Sequence, residues 1–391
     1  MKFKQNTCTW SYSLMQAATW SFYAIVLAFS SNVLYELGFS DSAISLFLGF
    51  CTALSVVIQI ASAELLNRIR SLGVHTVMII FGIVMLLCAL LILIPGMNRI
   101  PVIVCFGMVC MVLQTLPSLT NAVGMDTIRR GAATNYSIAR GIGSVGYSAL
   151  SLLTGILVRQ LGVASVHLLT ICASVFLIFS TLWYYRSTKD LGSDNAENTQ
   201  ESKIPFFATY PRFGVFLFGM AFLCISHGLL VNFMYQIMLS RNGTAMEQGI
   251  ATSLSSLVEL PIMFGFAWML RKLHCYKWVK LAAFAIALKP LIILFAGSPE
   301  GIYLAQTTQS IGYGLWVIAS VNYAEKIVGA GESIRAQSYH GATTTVSTVV
   351  ALSVGGVMID YLGVQFMVAV SLACSLIGSV IVLFSTQKTD I

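Results

Sequence analysis

Apolar residues in this chain come in long blocks broken by short polar turns, and twelve of the blocks are long enough to cross a bilayer. A spanning helix needs about 20 mainly apolar residues. The blocks cover residues 8–36, 41–66, 73–95, 100–124, 134–160, 164–185, 210–238, 244–271, 276–297, 299–326, 333–361 and 364–386. The pattern predicts an all-α membrane protein with twelve transmembrane helices in two pseudo-symmetric six-helix bundles. The longest polar stretch, RSTKDLGSDNAENTQESK (186–203), suits a cytoplasmic linker. It places one bundle at 1–185, the linker at 186–209 and the second bundle at 210–391. A weak repeat agrees: residues 134–162 end in GILVRQLG and residues 335–363 in GVMIDYLG, which makes the fifth and eleventh spans equivalent.

Polar positions are unevenly shared among the spans. The first carries Tyr12, Gln16, Trp20 and Tyr23 at spacings of four, four and three, one helical face. The fourth carries Gln114, Ser118 and Asn121, the seventh His227, Asn232, Tyr235 and Gln236, and the eighth Thr252, Ser255, Ser256 and Glu259. Gln306, Gln309, Tyr313, Trp316 and Ser320 mark the tenth; His340, Thr344 and Ser347 mark the eleventh. The third and twelfth are apolar nearly all round, the sixth has only Ser, Thr and His167 at its end, and the ninth has one exception, Lys289. An all-apolar helix can face lipid, whereas a polar stripe must face protein or water. Every third span is therefore expected at the periphery, with the others around a polar central space, as alternating access requires.

Composition agrees: 57% of residues are hydrophobic and 9% charged, against about 25% charged in a soluble domain. The net charge of +7 reflects topology rather than a nucleic-acid surface. With the N-terminus inside, most of the Lys and Arg residues fall on cytoplasmic segments, and only Arg99, Arg159 and Arg241 fall outside. Both termini are then cytoplasmic, in a multi-pass protein of the inner membrane. Lys2 and Lys4 precede an apolar run too long for a signal peptide, which is read as the first span. The nine cysteines lack paired spacing and read as small buried hydrophobes.

The stretch NYSIARGIGSVGYSAL (135–150) contains a G-x-G-x-x-G at Gly141, Gly143 and Gly146. A dinucleotide fingerprint needs a preceding strand and a following helix N-terminus. Here the glycines sit inside an apolar helix, so they make room and allow close helix packing. Arg140, Gly143, Ser144 and Tyr147 share one face.

Taken whole, the chain resembles the major facilitator superfamily. AELLNRIRSLG (63–73) looks like that family's cytoplasmic G-x-x-x-D-R-x-G gate, with Ala63 or Glu64 for its first glycine, Asn67 for the aspartate and Arg68 following. The equivalent loop after the eighth span is MLRKLHCYK. The AR-x-x-G-x-VG run with its aromatic resembles the lactose permease group, the oligosaccharide–proton symporter-like branch. That resemblance implies Arg140 as the substrate-contacting base and Tyr147 as a stacking platform. ELPIMF from Glu259 and ALKP around Lys289 match the same branch more loosely. Where the permease carries a carboxylate on its fourth helix, this chain has Thr120 and Asn121; where its tenth carries His and Glu, this chain has Gln309 and Tyr313.

The expected function is a secondary active transporter of a small polar organic solute (a sugar, glycoside or nucleoside-like compound), importing it with protons by alternating access. Substrate-binding candidates are Arg140, Tyr147, Asn121, Gln114, Trp20, Tyr23, Gln16, Tyr313, Trp316, Gln309 and His227. Proton-coupling candidates are Glu259, Lys289 and His340, because an intramembrane ionisable group is costly and marks function. Glu64, Asn67 and Arg68 are gating candidates. Partners are the small-molecule substrate, protons and the lipid bilayer, with no nucleic acid, no cofactor and no metal, in a monomer. Proton-driven efflux or facilitated diffusion of an amphipathic or aromatic compound is the alternative. A membrane enzyme is disfavoured: H-E-x-x-H and G-x-S-x-G are absent, and the five histidines lack ligand spacing. A sensor that binds without flux is a further rival.

Overall fold

A computed structural model of the protein describes residues 2–68, 73–129, 136–189, 206–328 and 333–388. The first span is α1 (Lys2–Val26) followed by α2 (Ser30–Glu36), and single helices form the next five: α3 (Asp41–Arg68), α4 (Val74–Ile92), α5 (Arg99–Arg129), α6 (Tyr136–Leu161) and α7 (Ala164–Thr188). A short α8 (Phe206–Thr209) leads into the seventh span, α9 (Pro211–Asn232) with α10 (Met234–Leu239). The eighth is α11 (Ala245–Leu270) and the ninth α12 (Cys275–Ile286) with α13 (Leu288–Phe295). The tenth is α14 (Pro299–Thr307), a π-helix (Ser310–Gly314) and α15 (Leu315–Ile327). A single α16 (Ser333–Ser385) contains the last two.

Among the described residues ten helical stretches are long and apolar enough to cross a membrane. Among the described residues each of the twelve blocks of the sequence nevertheless contains helix. Gly363, at φ 83° and ψ 163°, turns the chain between the eleventh and twelfth spans, so α16 counts once where the sequence has two. The tenth span is interrupted by its π-helix and so is not among the ten. Only glycine takes such a positive φ without strain, which is why the short DYLG run suffices as a turn.

The interruptions were invisible in hydropathy. Pro290 has no N–H for the Ile286 carbonyl four residues back, and the helix breaks at Ala287 between α12 and α13. In the tenth span Gly312 leaves helical dihedrals (φ −85°, ψ −107°), and the Gly314 N–H reaches back five residues to the Gln309 carbonyl at 2.8 Å. Such π-turns inside α-helices are frequent at functional sites.

Contacts divide the chain into two compact units. The first comprises residues 1–39, 47–195 and 245–253; the second comprises 40–46, 196–244 and 254–391. The linker expected at 186–209 lies outside the described residues between 190 and 205.

Within each unit, small residues let helices approach, since burial of apolar side chains drives little association in lipid. In the first unit a Cβ on Gly143 would lie 2.8 Å from Trp20 Cδ1 and 3.3 Å from the Gln16 carbonyl; one on Gly146 would lie 3.3 Å from the Ala17 carbonyl. These two glycines hold α6 against α1. In the second unit a Cβ on Gly378 would lie 2.7 Å from the Gly219 carbonyl, and the Ser226 and Ser371 hydroxyls meet at 2.9 Å, which joins α9 to α16. Phe213, Phe216, Trp316 and Tyr323 form the aromatic heart of that unit's core. The first span is the most enclosed, with 72% of its apolar window buried, whereas α4 has 28% buried and shows Ile80, Ile83, Leu87 and Leu90 on its surface. The polar stripe of the first span needs protein partners; the apolar surface of α4 can meet lipid.

Candidate functional site

Polar side chains gather in two groups, one in each unit. In the first unit the hub is Gln16, fully buried on α1. Its Nε2 donates to Tyr12 Oη at 2.8 Å and to Asn121 Oδ1 on α5 at 3.2 Å, and its Oε1 accepts from Trp20 Nε1 at 3.0 Å. Both ends of the amide are therefore used, as a buried polar group requires. The indole so oriented lies under the Arg140 guanidinium, whose Cζ is 3.9 Å from the ring centroid. Arg140 Nη1 also donates to Ser144 Oγ, one turn along α6, at 3.0 Å. Tyr23 packs beside Trp20 with ring centroids 5.4 Å apart.

The spacing of α1 produces this group, since positions 12, 16 and 20 stand one turn apart on the same face. Gly143 is its structural counterpart, because a side chain there would occupy the space of the Trp20 ring. Arg140, Trp20, Gln16 and Asn121 are thus brought together. Tyr147 is half-buried on α6, one turn beyond Ser144. Thr120 meets Thr19 hydroxyl to hydroxyl at 3.0 Å. The Gln114 side chain turns back on its own helix, its Nε2 donating to the Cys110 carbonyl at 3.3 Å, while the Gln114 backbone carbonyl accepts from Gln59 Nε2 on α3 at 3.3 Å. Gln59, the one amide side chain in the second span, was missed in the sequence; its isolation among apolar residues was the available signal.

In the second unit a glutamine again stands at the centre. Lys289 Nζ on α13 donates to Gln309 Oε1 at 2.9 Å, and Gln309 Nε2 donates to Glu259 Oε1 on α11 at 2.8 Å. Lys289 and Gln309 are each 5% exposed, so Lys289 does not snorkel toward a membrane surface. The ammonium and the carboxylate are joined through an amide. Gln309 immediately precedes the π-helix, and Lys289 follows the break at Ala287, so both interruptions flank members of this polar group. Gly314 closes the arrangement: a Cβ there would lie 2.8 Å from Glu259 Cγ and 3.0 Å from the Gln309 carbonyl. Beside the triad, the His227 and Tyr313 rings stack with centroids 3.4 Å apart and planes within 6°. Ser226, His227, Lys289, Thr308, Gln309 and Tyr313 line a small pocket in this unit.

Two further candidates are placed elsewhere. His340 Nε2 lies 2.9 Å from Ser320 Oγ, joining α16 to α15. Trp316 is 1% exposed and stacks on Phe216 with centroids 5.8 Å apart, so its ring is committed to the core of the unit. Of the gating candidates, Glu64 is exposed on α3; Asn67 and Arg68 end that helix, and their side chains lie outside the described residues. Among the described residues no group of three His, Cys, Asp or Glu is arranged to hold a metal, and the cysteines are free.

The sequence profile described as the MFS_1 like family matches residues 29–370. Solved structures share the architecture. A variant of the nucleoside transporter NupG is similar at TM-score 0.75 and 12% identity, over 98% of this chain and 100% of its own. A bacterial homologue of the iron transporter ferroportin is similar at TM-score 0.72 and 14% identity, over 99% and 100%. A POT family transporter in complex with a thioalcohol-conjugated peptide is similar at TM-score 0.69 and 10% identity, over 97% and 96%. At such identities the likeness is one of fold. No curated protein matches the sequence.

Proposed function

This chain belongs to the MFS_1 like family, and we propose that it is a secondary active membrane transporter that imports a small polar organic solute with protons by alternating access. The observation that carries this reading is a guanidinium inside a transmembrane helix, Arg140, laid on the Trp20 indole 3.9 Å away. The cation stands in the first turns of that span, half-buried, and is tied to protein partners rather than left to water, which marks an intramembrane ionisable group as functional. The ring holds it by its π-face, and Gln16 and Asn121 are linked to that ring through the hydrogen bond from Trp20 Nε1. Arg140 and Asn121 grip the solute, Trp20 and Tyr147 offer ring faces, and Glu259 cycles the proton. The lactose permease resemblance of the fifth span favours a sugar-like or nucleoside-like compound, and the similar nucleoside and peptide transporters support solute transport in general. The topology has both termini in the cytoplasm, two six-helix bundles at 1–185 and 210–391, and an inner-membrane monomer.

The test is uptake by protein reconstituted in liposomes, with and without an inward proton gradient, over sugars, glycosides, nucleosides and small organic acids. Accumulation only with the gradient supports proton symport. Equilibration without accumulation would make the protein a facilitator and remove Glu259 from coupling, and expulsion against the gradient would make it an exporter.

A further inference from the structure

The polar group of the second unit combines a buried cation with a pocket. Lys289 is 5% exposed and lines the pocket together with His227, Thr308, Gln309 and Tyr313. Among the described residues its one hydrogen bond goes to Gln309 Oε1, so its countercharge is Glu259, one amide further on. Among the described residues, titratable groups that face this cluster from the neighbouring elements include His227 and Cys224 on α9 and Tyr313 in the π-helix. None of these is a carboxylate, and cysteine and tyrosine are ordinarily uncharged at neutral pH. A buried ammonium is tolerated while an opposite charge is close, and removal of that charge leaves a strongly unfavourable lone ion.

When Glu259 takes up a proton, the countercharge of Lys289 is lost while the ammonium still lines the pocket. We propose that the solute restores it: the transported compound is an organic acid whose carboxylate enters this pocket against Lys289, with the stacked His227 and Tyr313 rings as one wall. This inference rests on the transport reading above and narrows its substrate class from polar solutes to carboxylates. Proton and carboxylate then bind together, one of each, because each relieves the imbalance the other creates. Gln309 is the positioning residue, since its amide holds the cation with one end and the acid with the other.

The experiment uses purified full-length protein melted in detergent at about pH 6 and about pH 8, on either side of the neutral range. The probes are lactate, benzoate and glucuronate, with lactamide, benzamide and glucose as their neutral counterparts. At least one acid is expected to raise Tm by about 2 °C or more at a concentration well above its Kd, through ligand linkage. The rise is larger at the lower pH, and the neutral counterpart gives none. Lys289→Gln abolishes the rise and Lys289→Arg, which keeps the cation, retains it, which separates loss of charge from loss of fold. Glu259→Gln makes the rise equal at both pH values. The proposal is overturned if no acid shifts the melting, if the neutral counterparts shift it equally, or if the shift survives Lys289→Gln. A pH dependence that persists in Glu259→Gln and vanishes in His227→Gln would assign the proton to His227 and overturn the part given to Glu259. Melting requires no flux, so an acid that binds but is never accumulated would count against the transport reading alone.

Discussion

Each unit builds its polar group around one buried glutamine, and the two glutamines do different work. Gln16 joins neutral partners, and the nearby cation is met by the face of an indole. Gln309 joins a formal cation to a formal anion. The supports differ as well. Gln16, Asn121 and Arg140 stand on stretches of α1, α5 and α6 that run on past them in helical conformation, whereas Lys289 and Gln309 stand beside helix interruptions. An unbroken helix fixes side chains at intervals of one turn. A break or π-turn adds an extra degree of freedom and re-aims a side chain that the regular repeat would send elsewhere. On the function proposed above, the group on continuous helices contributes to solute recognition, and the group on broken helices couples the proton and meets the solute's carboxylate.

Glu259→Gln attacks this division most directly. A gradient of about two pH units is worth about 2.7 kcal/mol, a hundredfold in solute concentration. The variant is expected to fall from near that ratio to about one, while counterflow exchange of solute persists, both measured in liposomes. Loss of exchange along with accumulation would show that the acid also serves recognition.

Gly314→Val comes next. The added side chain collides with Glu259 and Gln309, and overpacking of this kind costs about 1–3 kcal/mol. It should lower Tm and depress accumulation more than exchange. Gly143→Val imposes a similar collision on Trp20 in the first unit and should depress exchange and accumulation together. Equal outcomes for the two glycines would erase the distinction between the units.

A milder change is Arg140→Lys. It keeps the charge but gives up the planar stack on Trp20, a contact worth about 0.5–2 kcal/mol. Its KM for solute should rise about two- to thirtyfold, with the accumulation ratio at saturation unchanged. Gln59→Leu is expected to matter least. It removes the bond Gln59 Nε2 donates to the Gln114 backbone carbonyl and the one its Oε1 accepts from Ser118 Oγ, at about 1 kcal/mol in stability, and transport rates should stay at the parent level. A large transport defect there would extend the recognition group onto α3.

Much of this was legible in the sequence, for identifiable reasons. Length and hydropathy fix spans because lipid leaves the backbone no alternative to helix, and the positions of α3 through α7 followed from that alone. The face of α1 was legible because the helical repeat holds along it, so the four-residue spacing of Gln16 and Trp20 was enough to pair them. The chain breaks at Ala287 and at 310–314 depend on a missing N–H at Pro290 and on glycine dihedrals at Gly312, which hydropathy does not register. A pairing of Lys289 with Glu259 could be read from two opposite charges on neighbouring spans, but the Gln309 amide between them was hidden, since it needs the register that those breaks create. Trp316 illustrates the opposite error of weight. Its position on a polar stripe suggested contact with solute, but the aromatic neighbours that bury it come from α9, and their mutual packing leaves no trace in the local pattern.

The division of the chain into units also sets a timetable for biosynthesis. The first unit contains residues 245–253, held to α6 by the Ser148–Ser253 hydroxyl contact at 2.7 Å and by the close approach of Gly249 to Gly155. Residues 196–244 must be translated before that segment emerges. At about 5–20 residues per second this is a wait of about 2–10 s, with the Gly155 face of α6 unclosed in the nascent bundle. The first unit is thus finished only when residues 245–253 arrive, so its completion waits on translation of a segment that belongs to the second.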